Sequence, residues 1–304
     1  MYKYILKKFI IMLITVIAIC TVTFFIVHSI PGSPFFQDKK NMGSMLVRLN
    51  EKYGFDKPIT TQYWIFVKNL LHGDLGSSIS KRIPVKQIIL SGLPNSMRLG
   101  MVAIIFIIVT SFPLGIIAAL NRGKFIDKLI SGITSLGLIM PSFVLGAFLL
   151  YLFCERLMWL PIGGLPSPLY YIGPVLTISF FDISFTTKLM RASMIDVLAS
   201  DYVRTAKTFG FSRKEIVLKY ALKNALGSVV TYLGSTIGII LSGTFIVEKL
   251  FTIAGVGQYF VDAIMVRDYP VIMGMSILCS IFYVLSVFFV DLCYMIIDPK
   301  IRLK

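Results

Sequence analysis

Charge is scarce in this chain of 304 residues: 15% of its side chains are Asp, Glu, Lys or Arg, against about 25% in an ordinary soluble domain. Hydrophobic residues make up 56% and the mean hydropathy is +0.82. So large an apolar excess has to sit in lipid rather than in a globular core. Histidine is nearly missing. His28 and His72 lie far apart in sequence, which argues against a two-histidine metal or catalytic site. The four cysteines, Cys20, Cys154, Cys279 and Cys293, form no C-x-x-C pair. Three lie inside apolar runs and read as small buried hydrophobes rather than a disulfide framework or metal site. Catalytic patterns are absent as well: no G-x-x-x-x-G-K-[ST] phosphate loop, no H-E-x-x-H and no G-x-S-x-G. Gly123-Lys124 is the nearest fragment of a phosphate loop, without the upstream glycine or the Ser/Thr. No catalytic residue, metal site or cofactor is therefore expected. If the chain serves active transport, the energy comes from an ion gradient or from a partner.

What the sequence does contain is long uncharged runs, at 9–27, 99–121, 129–154, 157–181, 224–247 and 269–290. A membrane-spanning helix needs about 20 apolar residues at about 1.5 Å each, so all six qualify. Pro161, Gly163, Gly164, Pro166 and Pro168 delay the fourth helix to about Tyr170, and it continues past Asp182. The expected fold is an all-α polytopic membrane protein, one domain with spans at about 9–30, 97–120, 129–153, 170–187, 227–247 and 271–297. The first run, although preceded by Lys3, Lys7 and Lys8, is too long for a signal-peptide core and lacks a cleavage pattern, so it reads as a retained helix. Pro113 and Pro141 fall inside spans, where each can kink a helix.

Positive charge sets the orientation. With both termini on the inside, segments 1–8, 121–128, 188–226 and 298–304 hold 17 Lys/Arg, against 3 in the outer loops 154–169 and 248–270. The positive-inside rule then places both termini in the cytoplasm. Segment 31–95 carries nine Lys/Arg and is expected to be external. It exceeds the roughly 60-residue length over which the rule counts. The net charge of +15 is thus largely a matter of topology, and nucleic acid is not an expected partner.

Two features stand out as candidate sites. Ser179, Asp182 and Thr186 share one face of the fourth span, and Asp291 lies near the inner end of the sixth. Ionisable groups in lipid are costly and tend to be functional. Their bland reading is an interhelix hydrogen bond. The second feature is the basic cytoplasmic loop 188–226, in which Met194-Ile195 and Val197-Leu198 suggest a short amphipathic turn set. Asp201 is placed to cap a short helix from Tyr202 to Phe209, Gly210 to stop it, and Ser212-Arg213-Lys214-Glu215 to open the next helix as a capping box. An ordered, doubly capped hairpin is more than a solvated loop requires, and it suggests a docking element.

Asp201 to Gly210 resembles the D-Y-V-R-T-A-x-x-x-G signature of ABC importer permease subunits of the oligopeptide, dipeptide and nickel branch. It is that branch's form of the general E-A-A-x-x-x-G, with Arg204-Thr205 in place of Glu-Ala. Further blocks agree in order: Gly73-Asp74-Leu75-Gly76-Ser77-Ser78 with Pro84-Val85, Glu248…Phe251…Gly255-Val256-Gly257, Arg267-Asp268-Tyr269-Pro270 and Asp298-Pro299-Lys300-Ile301-Arg302. Ala254 stands where the family usually has proline, and Tyr220-Ala221-Leu222 where a histidine often leads. The resemblance implies a type I importer permease fold in the cell membrane. It also implies a second homologous permease, two ABC ATPase subunits and an extracytoplasmic substrate-binding protein as partners, besides the lipid bilayer. It makes Asp201, Tyr202, Arg204, Thr205, Ala206, Lys207 and Gly210 the ATPase-coupling residues and Glu248, Gly255 and Gly257 an external gate region. Peptide is the expected substrate, with nickel or a metal chelate as the alternative. An ion-coupled secondary transporter and a non-transporting sensor are alternatives of other classes.

Overall fold

The computed structural model describes residues 2–29, 54 and 56–297, with side chains for 6–29, 54 and 56–290. Its elements run α1 (Tyr2–Ser29), α2 (Ile59–Leu71), α3 (Val85–Leu120), α4 (Phe125–Ile139), α5 (Ser142–Leu149), α6 (Ile172–Leu198) and α7 (Asp201–Thr208). Then come α8 (213–241), α9 (Phe245–Leu250), α10 (Val256–Met265) and α11 (Tyr269–Ile297). Among the described residues the only β pairing is an isolated bridge between Ser77 and Pro84. Five helices are long and apolar enough to cross a membrane, and six when α4 and α5 count as one bent span.

The helix limits differ from those expected, each for a physical reason. The helix α3 starts at Val85 rather than near 97, because Pro84 takes an extended conformation at its boundary and Pro94 is carried inside the helix. At 36 residues it is about 54 Å long, more than the ~30 Å hydrocarbon layer. The third expected span is broken. Met140 is extended (φ −78°, ψ 119°), as the residue before a proline prefers, and α4 and α5 meet at 101°. The helix α6 continues to Leu198 rather than 187, because Met190 and Met194 keep its buried stripe in register and are fully buried. The helix α8 begins at Arg213, where the capping box was expected to open it, and runs into the fifth span through a wide π-helical turn at Ile216–Ala221. Most of the expected loop 188–226 is therefore the ends of two spans. The segment 30–53 and the block Asp298–Arg302 lie outside the described residues.

The core is formed by α3, α6 and α8, with Leu99, Ile107, Met190, Met194, Val229 and Leu233 buried together. Side chains such as Ile17, Val109, Leu136 and Ile139 remain 61%, 65%, 61% and 78% exposed, the pattern of faces that meet lipid. Without a hydrophobic drive between helices in lipid, close packing over small residues supplies the cohesion. A Cβ on Gly115 of α3 would lie 2.6 Å from Met190 Cβ of α6, and one on Gly92 would lie 2.9 Å from the Gly255 backbone. Outside this core, α2 lies along α1, with the Thr21 and Tyr63 hydroxyls 2.8 Å apart and Phe24 stacked on Phe66.

Gly115→Val is expected to force α3 from α6 and to destabilise the fold by about 1–3 kcal/mol, the usual cost of overpacking. Denaturant titration in detergent micelles checks this, and an unchanged midpoint would contradict the tight α3–α6 contact.

Candidate functional site

The connection between α6 and α8, residues 199–212, is held at three points. First, Val203 and Ala206, three apart on α7, are buried with Ile216 against Val197 and Leu198. Second, the C-terminus of α7 closes in a Schellman motif: the Gly210 N–H donates to the Lys207 carbonyl (3.0 Å) and the Phe211 N–H to Ala206 (3.3 Å). Gly210 sits at φ +79° with nothing within 4 Å of an added Cβ, so glycine is required by the backbone angle and not by space. Third, Ser212 and Glu215 form the capping box expected from the sequence: the Ser212 N–H donates to Glu215 Oε2 (3.1 Å) and the Glu215 N–H to Ser212 Oγ (3.3 Å).

One expectation is corrected. Asp201 does not cap α7. Ser200 has the extended boundary conformation, and Asp201 is already the first helical residue, where its charge still favours the positive end of the helix dipole. The Asp201 carboxylate is 3.5 Å from Arg204, and both side chains are largely exposed. Thr205, Lys207 and Thr208 are exposed too, while the Tyr202 hydroxyl accepts from Asn224 Nδ2 at 2.8 Å. The result is a short polar helix fixed from beneath and presented outward.

Glu248, Gly255 and Gly257 come together at the break between α9 and α10. Glu248 is 0% exposed. Its Oε1 accepts the Thr244 N–H (3.0 Å), and its Oε2 accepts Gly257 N–H (2.8 Å) and Gln258 N–H (3.3 Å). Ser96 Oγ on α3 accepts the Val256 N–H at 2.8 Å and also hydrogen-bonds the carboxylate. The first three amides of α10, orphans in any helix, are thus satisfied by two side chains from elsewhere. Any side chain on Gly255 would strike the Glu248 carboxylate, and a Cβ on Gly257 would lie 2.9 Å from it. Phe251, 2% exposed, packs under this turn against Gly173. The spacing of the E…F…G-x-G block is the spacing of one carboxylate capping a helix that starts eight residues later.

Two other blocks prove to be one structure. The carboxylate of Asp268, 2% exposed, accepts from Ser78 Oγ (2.5 Å), Ile79 N–H (3.1 Å), Ser80 N–H (3.1 Å) and Ser80 Oγ (2.9 Å). Arg267-Asp268 therefore clasps the turn that follows Gly73-Asp74-Leu75-Gly76, and Asp74 itself holds that stretch by accepting the Gly76 N–H at 2.7 Å.

The chain matches the binding-protein-dependent transport system inner membrane component over residues 111–303, and the N-terminal component of the same systems over 1–100. It is 38% identical to a dipeptide transport system permease protein of Bacillus subtilis, over 100% of this chain and 99% of that one. It is 37% identical to an oligopeptide transport system permease protein of Haemophilus influenzae, over 99% and 100%. It is 34% identical to a glutathione transport system permease protein of Escherichia coli, over 100% of both. Among solved structures, the inward-facing MetNI methionine ABC transporter has a chain of similar fold, with a TM-score of 0.55 and 15% identity over 70% of this chain and 97% of that one. The chain belongs to this family of ABC importer permeases.

The permease is a multi-pass protein of the cytoplasmic membrane, and its intramembrane polar residues divide among different neighbours. The Tyr232 hydroxyl of α8 donates to Asp182 Oδ1 at 2.5 Å, and the Phe185 ring lies 4.3 Å from that of Tyr232. Ser179 points to the Ala103 carbonyl of α3 (3.4 Å), and Thr186 is fully buried. The three share a face, but that face is packed against α3 and α8. The side chain of Asp291 lies outside the described residues.

Sequence reading missed Asp127 and Arg191. Arg191 Nε and Nη2 donate to the two carboxylate oxygens of Asp127 at 2.6 and 2.8 Å, and the Gly123 N–H adds a third bond at 2.8 Å. This buried fork ties the basic 121–124 turn to α6. Its two partners are 64 positions apart, so no local spacing pairs them. An acid following a basic turn was the only signal.

Glu248→Ala leaves three amides without their acceptor. It is expected to cost about 3 kcal/mol or more, at about 1–3 kcal/mol for each buried donor left unpaired, measured as a lower unfolding midpoint and lower membrane levels. Asp268→Ala is expected to free the 77–82 turn. Limited proteolysis should then cut at Lys81 or Arg82 several-fold faster than in the wild type, and equal rates would contradict the clasp.

Proposed function

We propose that this permease imports short peptides by alternating access, with ATP hydrolysed on separate subunits that engage α7. The observation that carries this reading is the hairpin: a short exposed helix whose base is buried at Val203 and Ala206, whose C-terminus is closed by the Gly210 turn, and which is followed at once by the capped start of α8. A lever must not bend where force enters it, and this one is continuous with the spans α6 and α8. Asp201, Arg204 and Thr205 are the exposed groups for an ATPase surface, with Lys207 at its edge on the flank beside the buried stripe. Tyr202 and Ala206 fix the helix from the side and from beneath, and Gly210 lets the chain reverse. The full-length likeness to permeases named for dipeptide and oligopeptide transport supports peptide as the cargo.

The working assembly in this reading contains a second homologous permease, two ABC ATPases and an extracytoplasmic substrate-binding protein, with both termini of the permease in the cytoplasm. The turn built on Glu248, Gly255 and Gly257 then lies toward the external side. It acts as a firm gate element, because it can move only as a unit with α3 through Ser96. Ser179, Asp182, Thr186 and Asp291 are assigned to polar contacts between helices beside the path.

The deciding measurement is uptake by the complete transporter in proteoliposomes, with labelled dipeptide and Ni²⁺ as competing cargoes. Peptide uptake that needs ATP is expected; uptake of Ni²⁺ alone, or uptake driven by an ion gradient without ATP, would reject the reading. Gly210→Val places a β-branched residue at φ +79°, a strain of about 1–3 kcal/mol. It is expected to cut uptake about tenfold or more while insertion is normal and ATP hydrolysis persists. Normal uptake by that variant would remove α7 from the coupling path.

A further inference from the structure

Between the hairpin and the end of α3 lies a groove of about 480 Å³. Leu120, Leu198, Phe211 and Val217 contribute apolar walls, and Lys207 and Arg213 are the charged residues lining it. Its position is fixed by the spans: Leu120 ends α3, Leu198 ends α6 and Arg213 opens α8. Leu120 ends the uncharged run 99–121 and is followed by Arg122 and Lys124, so the groove opens at the basic, headgroup-facing end of α3.

We propose that this groove binds an anionic phospholipid, with its phosphate between Lys207 and Arg213 and the roots of its acyl chains against Leu120, Leu198 and Val217. Three observations carry the assignment. The charge is of one sign: the segment 199–223 holds six Lys/Arg and two acids, and those acids are engaged elsewhere, Asp201 by Arg204 and Glu215 by Lys219, each at 3.5 Å. Arg213 is pre-positioned, since one Nη2 donor reaches the Leu120 carbonyl at 3.0 Å. A guanidinium has five donors in a planar fork suited to phosphate. Finally, Lys207 leaves α7 on the flank beside the buried Val203–Ala206 stripe, whereas Asp201 and Thr205 project from the opposite face of the helix. The lipid and an ATPase would therefore use different faces of α7, and a bound lipid would brace the hairpin against α3.

The experiment uses the full-length permease in nanodiscs of phosphatidylcholine doped with a photoactivatable phosphatidylglycerol, with labelled peptides identified by mass spectrometry. Labelling is expected at the segments containing Leu120 and 207–217, competed by excess phosphatidylglycerol but not by phosphatidylcholine or inorganic phosphate. Lys207→Gln and Arg213→Gln should each lower labelling about five-fold, the ~1 kcal/mol that one basic residue contributes at an anionic surface. The exchange pair Lys207→Arg with Arg213→Lys should retain it. If Arg213→Gln fails to insert, Lys207→Gln, altered at an exposed side chain, carries the test alone. Equal labelling by a photoactivatable phosphatidylcholine, labelling indifferent to both charge removals, or displacement by inorganic phosphate would overturn the proposal. So would loss of labelling when ATPase subunits are added, which would make the groove a protein-docking surface.

Discussion

A backbone amide at a helix end has lost its carbonyl partner and needs another acceptor, and this chain meets that constraint with carboxylates. Five of its acids accept main-chain amides at places where the helical ladder stops. Asp74 takes Gly76, Asp127 takes Gly123, and Glu215 takes Ser212. Glu248 takes Thr244, Gly257 and Gln258, and Asp268 takes Ile79 and Ser80. In a protein with only 15 Asp and Glu, this is where a large share of its negative charge is used. The turns held by the buried Asp127, Glu248 and Asp268 are rigid for that reason: freeing an amide in a dry setting costs more than bending the chain returns.

These turns tie distant elements together. Glu248 and Ser96 bind the α9–α10 turn to α3, and Asp268 binds the 77–82 turn to the start of α11. At the other end of the bundle, the Asp127–Arg191 fork joins the 121–124 turn to α6. Between them α3 and α6 are packed over Gly115 and Met190 too closely to slide independently. At the base of α7, Val203 and Ala206 are buried with Ile216 against Val197 and Leu198, which joins the short helix to the ends of α6 and α8. The breaks at 77–82, 121–124 and 251–255 thus each have a partner at a distant helix.

Much of this was legible beforehand. The uncharged runs marked the spans, and the capping box at Ser212–Glu215 and the glycine stop at Gly210 were read from spacing alone. They succeed because caps are local: donor, acceptor and backbone angle lie within a few residues. The errors were local as well. Charge suggests that the fourth span ends at Lys188, yet Lys188 reaches Ser135 at 2.9 Å and Arg191 reaches Asp127, so both stay on a continuing helix.

The sequence by itself determined that the chain is a bundle of membrane helices, which turns are capped, and which ordered blocks mark its family, because hydrophobic length, turn chemistry and motif spacing are short-range properties. Only the tertiary structure decided what the blocks are for. That Asp268 clasps Ser78 and Ser80 from 190 and 188 positions away, that Glu248 completes a helix begun beside Ser96, and that Lys207 and Arg213 face one groove at the end of α3 all depend on how the spans pack. Those pairings join residues with no fixed spacing, set by close contact between helices.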